Sequence, residues 1–297
     1  MQTKTWRALT ALVLALGATA IGACGDDEDG GGAATTTTAA PQTFAAGTTM
    51  KTLQDGGDIT IGVKFEVPPF GFKDTSGKVQ GFDVDLGKAI ADALGVKAKF
   101  IEALSDNRIP FLKDGTADLI LSTMTITAER DEEIDFSTPY FIAKGRVLVK
   151  KDNTDITGVD DLAGKNVCTA LGSTYEETLK KQAPKAKLRL VDSYSECLEL
   201  IQNGGVDAIS TDDVILTGLI RQDDTLKLVG DELTTEPYGA GVKEGDTAFK
   251  AFVDSVIATY FEDGGWATAY EKWIGQYTGE KQDPPTMTLQ EALALST

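Results

Sequence analysis

The chain has 297 residues, 41% hydrophobic and 25% charged, which is a globular composition with enough length for two modest lobes or one large domain. Its 28 basic and 46 acidic side chains give a formal charge of −18 at pH 7, which excludes nucleic acid as a natural partner. It contains no histidine, which excludes Ser-His-Asp chemistry and histidine-based metal sites.

Residues 1–23 have the features of an export signal. Lys4 and Arg7 form a positively charged start, and an apolar run extends from Ala8 to Ile21. At about 14 residues the run is shorter than the ~20 that a membrane-spanning helix needs. The stretch I-G-A-C at 21–24 resembles the lipobox of bacterial lipoproteins, which implies cleavage before Cys24 and a lipid on its sulfur. An ordinary secretory signal is the alternative.

Residues 24–50 form the predicted lipid anchor and a flexible tether. After Cys24 the segment is rich in Gly, Thr, Ala and acidic residues and has almost no large apolar side chain, so it cannot build a core. Loss of residues 1–23 leaves 26 basic and 46 acidic side chains, a formal charge of −20. We therefore expect a lipid-anchored protein at the extracellular face of the cell membrane.

Two further cysteines follow in the mature chain. With Cys24 assigned to a lipid, Cys168 and Cys197 remain, and an even number in an exported chain predicts a disulfide. Two cysteines without any histidine leave too few soft ligands for a structural metal site, so no metal is expected.

The folded part opens with a β-α-β order. Residues 59–65 alternate like a strand, residues 96–101 resemble the next strand, and between them residues 81–95 form a helix with Asp83 as its cap. The apolar stripe of this helix consists of Leu86, Ile90, Ala93 and Leu94. This order predicts an α/β fold.

A later pattern occurs twice, at residues 111–123 and 200–212, with an offset of 89 residues. Each copy has a helix end at Asp-Gly or Asn-Gly, then an aspartate, then a short apolar strand. Two similar lobes would place Thr123 and Asp212 at equivalent strand ends, where ligands bind in such folds. Chance similarity is the alternative, because helix-to-strand turns generally favour these dipeptides.

A short helix from Ala128 carries Arg130 in its first turn. Helix N-terminal amides together with a guanidinium that can hold a carboxylate by two hydrogen bonds predict an anion site. The alternative is a solvated arginine that pairs with Glu129 or Glu133.

A second helix N-terminus is predicted on the opposite lobe. There Ser173 and Glu176 have capping-box spacing before the helix that follows Thr174. For Asp212, the alternative to a ligand contact is a role as a helix cap.

Several short stretches between about residues 56 and 280 form a recognisable set. They are I-G-V-K-F at 61–65, P-P-F-G-F-K at 68–73, G-F-D-V-D-L at 81–86, N-R-I-P-F-L at 107–112, F-S-T-P-Y at 136–140, G-S-T at 172–174, V-D-A-I-S-T-D-D at 206–213 and E-P-Y-G-A-G-V at 236–242. In these stretches the chain resembles the bacterial extracellular solute-binding proteins of family 3, the polar amino-acid receptors of ABC importers. Lys64, Cys168, G-S-T at 172–174 and T-D-D-V-I-L-T-G at 211–218 look most like the glutamate-binding lipoproteins of Gram-positive actinobacteria.

The resemblance implies a two-lobed α/β fold, the periplasmic-binding-protein type 2 fold, with two hinge crossings near Gly145–Lys151 and Pro237–Val242. Lobe 1 would comprise residues 51–146 plus 241–281, and lobe 2 residues 147–240. The C-terminal tail, residues 282–297, departs from the family pattern and receives no assignment. A monomer is expected.

The resemblance also implies the contacts with the ligand backbone. Arg130 matches the arginine that clamps the α-carboxylate, with help from Thr125 and from backbone amides around Thr123 and Thr174. Asp212 matches the acid that receives the α-ammonium from the opposite lobe.

The side-chain subsite points to an acidic ligand. Lys64 occupies the position where a glutamine-specific member would carry an acid, Arg108 could add a second positive charge, and Phe70 could form a wall of the pocket. These residues favour glutamate, or aspartate, with glutamine or another polar amino acid as the alternative. For Lys64, a solvent-facing lysine on a strand is the other interpretation.

The implied function is capture of an amino acid by lobe closure and delivery to a membrane permease and its ATPase, with no cofactor and no enzymatic step. Two alternatives belong to other classes. One is a dehydratase-type enzyme on the same fold, and the other is an extracellular ligand sensor.

Overall fold

The computed structural model of the protein describes residues 42–296, so the predicted signal, Cys24 and most of the tether lie outside the described residues. The strands are β1 (Asp58–Val63), β2 (Glu66–Val67), β3 (Gly71–Lys73), β4 (Val79–Gln80), β5 (Lys97–Glu102), β6 (Leu119–Ile120), β7 (Ile134–Phe136), β8 (Phe141–Lys150), β9 (Asn166–Ala170), β10 (Lys187–Val191), β11 (Ala208–Asp212), β12 (Leu226–Val229), β13 (Thr235–Tyr238) and β14 (Gly241–Lys243). The helices are α1 (Thr49–Gly56), α2 (Phe82–Leu94), α3 (Arg108–Asp114), α4 (Ala128–Asp131), α5 (Tyr175–Gln182), α6 (Tyr194–Gln202), α7 (Asp213–Gln222), α8 (Thr247–Glu262), α9 (Gly265–Tyr270), α10 (Gln276–Thr278) and α11 (Leu289–Ala294).

The first lobe is built on a five-stranded sheet with the order β5-β1-β6-β14-β7. Strand β1 pairs in parallel with β5 and β6, as the β-α-β order predicted. Helix α2 buries Leu86, Ile90 and Leu94 against this sheet, but it buries Ala91 and exposes Ala93. Ala91 lies one position after Ile90 and one turn after Gly87, so the helical repeat places it on the buried face.

The second lobe is built on a six-stranded sheet with the order β10-β9-β11-β8-β12, in which β13 also pairs with β8. Its core is separate from that of the first sheet and is formed around the disulfide and helices α6 and α7. A three-stranded sheet, β2-β3-β4, belongs to the first half of the chain. The two-lobed α/β fold is therefore confirmed.

The two crossings between the lobes run side by side, because β8 and β13 form an antiparallel pair. β7 ends in the first sheet at Phe136, and from Gly145 onward β8 pairs with strands of the second sheet. The first passage between the two sheets therefore lies between Phe136 and Gly145, and the second lies between Tyr238 and Gly241.

The repeated pattern corresponds to repeated structure. In the first copy α3 ends at Asp114 and leads to β6, and in the second α6 ends at Gln202 and leads to β11. Thr123 follows β6, Asp212 is the last residue of β11, and both line one cavity.

The predicted tether is too long at its C-terminal end. Phe44 makes an edge-to-face contact with Phe252, and Met50 is buried on α1, which begins at Thr49. These two apolar side chains, the only large ones late in the segment, attach it to the core of the first lobe.

Asp83 does not cap α2, contrary to prediction. The N-cap is Gly81, and the buried Asp83 carboxylate accepts hydrogen bonds from the Thr123 amide at 3.0 Å and the Tyr140 hydroxyl at 2.8 Å. Thr123 has a φ of 44°, in the left-handed region. Burial raises the pKa of Asp83 to about 7. The carboxylate thus holds an unusual backbone turn at the end of β6.

The predicted disulfide is present. Cys168 on β9 and Cys197 on α6 are joined with an S–S distance of 2.02 Å, and both are fully buried.

Replacing both cysteines by serine should lower the free energy of unfolding by about 3–4 kcal/mol, because the bond closes a long loop in the unfolded chain. Urea unfolding of the oxidised parent and the double variant measures this difference. The reduced parent is the matched control and should unfold at about the same urea concentration as the double variant. A loss below about 1 kcal/mol would contradict an entropic role.

The Asp83→Asn variant should lose about 1–3 kcal/mol, because the amide offers one acceptor oxygen to two buried donors and leaves one donor unpaired. Urea unfolding again provides the measurement. Tyr140→Phe removes the hydroxyl donor itself and leaves no donor unpaired, so it should lower the free energy of unfolding less than Asp83→Asn does. Equal stability of Asp83→Asn and the parent would show that the carboxylate does not hold Thr123.

Candidate functional site

Residues from both lobes enclose a cavity of about 10 Å³, roughly the space of one water molecule. Six of the eight predicted ligand-binding residues line it, and Lys64 and Phe70 do not. The lining residues are Ser105, Arg108, Thr123, Thr125, Arg130, Ser173, Thr174, Tyr175, Tyr194 and Asp212.

Arg130 reaches across the cleft. Its helix α4 begins after Thr127, whose hydroxyl accepts a hydrogen bond from the Arg130 amide at 3.2 Å. The guanidinium donates to the carbonyl oxygens of Thr125 at 2.7 Å and Gly172 at 2.9 Å. In the described chain it forms no ion pair, and Glu133 instead pairs with Lys113. The solvated pairing considered from the sequence is therefore not observed.

Arg108 is a second guanidinium at the same place. It is buried and donates only to backbone carbonyl oxygens, including those of Thr123 at 3.1 Å and Gly172 at 3.3 Å. Burial, followed by the charge of Arg130, lowers the pKa of Arg108 to about 9. Both guanidiniums thus converge on one carbonyl of the opposite lobe.

Asp212 is the acid of the second lobe. One of its oxygens accepts a hydrogen bond from the Tyr175 hydroxyl at 2.8 Å. It stands at the N-cap position of α7 but makes no capping bond, because Asp213 accepts from the Val214 amide instead. Burial, and then the charge of Glu236, raises the pKa of Asp212.

The predicted capping box at Ser173 and Glu176 is not formed. Helix α5 has Thr174 as its N-cap residue, without a side-chain capping bond. The backbone of Thr174 is already helical there, which leaves its hydroxyl free to donate to Glu236 at 3.0 Å.

Glu236 is a site residue that was not predicted from the sequence. Its carboxylate is buried and accepts from the hydroxyls of Thr125 at 2.6 Å and Thr174 at 3.0 Å. It therefore connects predicted ligand-binding residues of both lobes, from strand β13 at the crossing. An acid beside a Pro-Tyr pair that continues a buried strand was the signal available in the sequence.

Lys64 is fully buried, which contradicts the solvent-facing interpretation. It directly follows β1, and its ammonium donates to the Ser105 hydroxyl at 2.9 Å. Burial, and then the charge of Arg108, lowers the pKa of Lys64 to about 7. Lys64 therefore lies behind Ser105, which lines the cavity while Lys64 does not.

Phe70 lies in the core of the first lobe. Its ring makes edge-to-face contacts with Phe82, Phe141 and Tyr238 at centroid distances of 5.0–5.5 Å. It supports the wall of the lobe and does not face the small cavity.

A larger cleft of about 930 Å³ shares Thr125, Arg130 and Thr174 with the small cavity. The C-terminal tail lines part of it, through Leu295 and Ser296. The Ser296 hydroxyl accepts a hydrogen bond from the Ala128 amide at 2.8 Å, so the tail caps the helix that carries Arg130. One amide of that helix is thereby not available to an anion.

The cavity must enlarge before it can hold an amino acid, which is several times larger than a water molecule. The bonds of Arg130 and Arg108 to the Gly172 carbonyl join its walls, so entry requires these bonds to break and the lobes to separate. Breaking them would leave guanidinium donors of Arg130 and Arg108 without an acceptor on the opposite lobe.

Two features are missing from residues 42–296. No helix there combines the length and apolar character needed to cross a membrane. No group of three or more acidic or cysteine side chains there has an arrangement that could hold a metal ion.

The chain is similar to proteins of known family. The sequence profile of the bacterial extracellular solute-binding proteins, family 3, matches residues 59–276. The glutamine-binding protein GlnH of an ABC transporter from Bacillus subtilis strain 168 is 38% identical over 241 residues, which cover 80% of this chain and 86% of that protein. The glutamate-binding protein GluB from Corynebacterium efficiens is 29% identical over 294 residues, covering 94% and 92%.

Solved structures of amino-acid-binding proteins have a similar fold. An ancestral arginine-binding protein bound to glutamine has a TM-score of 0.71 and 40% sequence identity, and the match covers 74% of this chain and 98% of that one. The profile spans both lobes and every residue of the candidate cavity. The chain belongs to the bacterial extracellular solute-binding proteins, family 3, the amino-acid-binding components of ABC importers.

Proposed function

We propose that this protein captures an acidic amino acid, L-glutamate or L-aspartate, by closure of its two lobes and delivers it to a membrane permease with its ATPase. The buried ammonium of Lys64 carries this proposal. In the described chain it forms no ion pair with a carboxylate. It donates a hydrogen bond to the Ser105 hydroxyl, which carries no charge. A buried charge without a counter-ion is costly, so a ligand carboxylate would stabilise it.

The charge balance of the site supports the same ligand class. Three basic side chains, Lys64, Arg108 and Arg130, lie in or beside the cavity, together with two acidic side chains, Asp212 and Glu236. Burial raises the pKa of Asp212, which favours its neutral form without ligand and adds to the excess of positive charge. Glu66 also lies near Lys64, and burial raises its pKa, which favours its neutral form. A zwitterion with an additional carboxylate would therefore balance the site better than a neutral amino acid.

Each end of the ligand then has a partner. The α-carboxylate would take the two guanidinium donors of Arg130 that now bond carbonyl oxygens. The α-ammonium would bond Asp212 from the other lobe, and the side-chain carboxylate would reach toward Lys64 and Ser105. Contacts to both lobes stabilise the closed form, because the open form cannot make them together.

Glutamine is the alternative ligand. The GlnH relative is a glutamine-binding protein, and the GluB relative is a glutamate-binding protein. The cleft mouth also carries Glu129, Glu133, Glu176 and Glu177. These charges would slow the approach of an anion, although such rim charges affect the association rate more than the affinity.

A dehydratase-type enzyme is the alternative from another class. The raised pKa of Asp212 would suit proton transfer. Loss of a candidate acid during incubation, followed by chromatography, would reveal turnover. An extracellular sensor would bind the same ligand without delivering it.

The place of the protein is also part of the proposal. A lipid on Cys24 would anchor it at the extracellular face of the cell membrane, as the lipobox resemblance implies. The residues between Cys24 and Phe44 would then act as the tether, and the protein would work as a monomer.

Calorimetric titration of the purified protein with L-glutamate, L-aspartate, L-glutamine and L-arginine should give the tightest binding for glutamate or aspartate. Lys64→Gln should shift the preference toward glutamine by about tenfold or more, because one buried ion pair is lost. Lys97→Gln is the matched control, since Lys97 is exposed on β5, and it should bind like the parent.

In the same titrations, Arg130→Ala should abolish binding of every amino acid, and Arg130→Lys should restore it only in part because a lysine cannot make the paired contact. A parent that prefers glutamine or arginine would overturn the proposed ligand and leave the receptor function intact. No binding of any of the four would overturn the amino-acid site.

The glutamate-to-glutamine affinity ratio should fall as the pH rises from 7 to 9. The pKa of Lys64 is lowered to about 7, so the group loses its proton above that pH and glutamate must bind with proton uptake. Effects of Asp212 and Arg130 cancel in the ratio, because both ligands share the amino-acid backbone. Titration in buffers of different ionisation enthalpy measures the uptake, and Lys64→Gln should abolish it. A ratio independent of pH would show that Lys64 does not face the ligand side chain.

A further inference from the structure

A second contact between the lobes lies away from Arg130. The short sheet β2-β3 belongs to the first half of the chain, yet Val67 packs into the core of the second lobe with Leu216 and Leu219 of α7. Beside it, the Ser195 hydroxyl of α6 donates to the Glu66 carboxylate at 3.4 Å. The loop that follows Lys64 is therefore attached to α6 and α7.

Gly218 lies in the interior of α7, where a glycine costs about 1 kcal/mol relative to alanine. A Cβ atom at this position would collide with the carbonyl oxygen of Pro68 and lie 3.0 Å from its carbonyl carbon. Glycine is therefore the residue that lets α7 approach this loop. Because backbone fills the space, the neighbour cannot move aside as a flexible side chain would.

A stacked pair marks the edge of the same contact. The guanidinium carbon of Arg221, one turn after Gly218, lies 3.2 Å from the centre of the Tyr277 ring on α10. Two separate segments of the first lobe, residues 66–68 and the helix of Tyr277, thus meet α6 and α7 in this arrangement of the lobes.

We propose that Gly218 determines how far the two lobes close, and so controls ligand affinity without touching the ligand. This inference rests on the proposed capture of an amino acid by lobe closure. A methyl group at residue 218 would hold α7 away from Pro68. Each lobe would remain folded, but Arg130 and Asp212 would no longer reach one ligand together.

The test compares Gly218→Ala with Gly56→Ala in the full protein. Gly56 is the last residue of α1 and has open space where a Cβ would stand, so it is the matched control for the glycine-to-alanine exchange. Calorimetry with the amino acid that binds the parent best should show affinity weaker by about tenfold or more for Gly218→Ala. Gly56→Ala should stay within about twofold of the parent.

Two further readouts separate closure from packing. The melting temperature of Gly218→Ala without ligand should stay close to that of the parent, because the helix propensity of alanine offsets the weakened packing of Val67. Small-angle scattering should show that saturating ligand reduces the radius of gyration less than in the parent. Val67→Ala, which removes the apolar contact of the loop, should also weaken binding while the protein stays folded.

The outcomes are distinct. If the parent binds an amino acid and Gly218→Ala binds it equally well, the proposed role of Gly218 is wrong and the receptor function stands. A fall in melting temperature that accompanies the loss of affinity would assign Gly218 to packing of the second lobe and overturn the proposal. If the parent binds none of the four amino acids, the proposed function itself fails, and this inference with it.

Discussion

The carbonyl oxygen of Gly172 is the acceptor on which the site depends. Arg130 and Arg108 both donate to it from the opposite lobe, at 2.9 and 3.3 Å. Gly172 has a φ of 73°, and a Cβ there would lie 2.6 Å from the Cα of Asp106. Only a glycine permits this approach of the two backbones. The lobes can therefore bring two like charges together, because a backbone dipole stands between them.

These buried cations explain why so many hydrogen bonds of the site end on carbonyl oxygens. Arg108 bonds the carbonyls of Ser105, Ser122 and Thr123, so its charge is spread over the loops that it holds. Such bonds satisfy the donors but do not neutralise the charge. The cationic groups of the site are thereby held in place by backbone bonds, and the proposed acidic ligand would supply the negative charge that these bonds do not. This need for negative charge is a physical basis for selectivity.

Local patterns in the sequence were sufficient for the fold and for part of the site. Periodicity gave the β-α-β order, and the duplicated helix-turn-strand pattern placed Thr123 and Asp212 at one cavity. The resemblance to a family supplied the remaining expected contacts. What could not be predicted depends on partners distant in the chain. Glu236 meets Thr125 across 111 residues, and Asp83 meets Thr123 across 40, so the partners of both acids lie far from them in the sequence.

The role of the C-terminal tail could not be predicted for the same reason, since Ser296 caps the helix of Arg130 across 168 residues. The burial of Lys64 was equally hidden, because a lysine after a strand is usually exposed and only the arrangement of β1 and the Ser105 loop encloses it.

Glu236 connects the ligand residues to the crossing strands. It lies on β13, which pairs with β8 at residues 141–144, and it accepts hydrogen bonds from one threonine of each lobe. A change in the angle between the lobes must alter these two bonds, since their donors move with different lobes. In the proposed binding mode, the ligand would replace the guanidinium-to-carbonyl bonds between the lobes by guanidinium-to-carboxylate bonds. Its affinity is therefore the difference between two sets of contacts, and closure needs only that this difference favour the bound form.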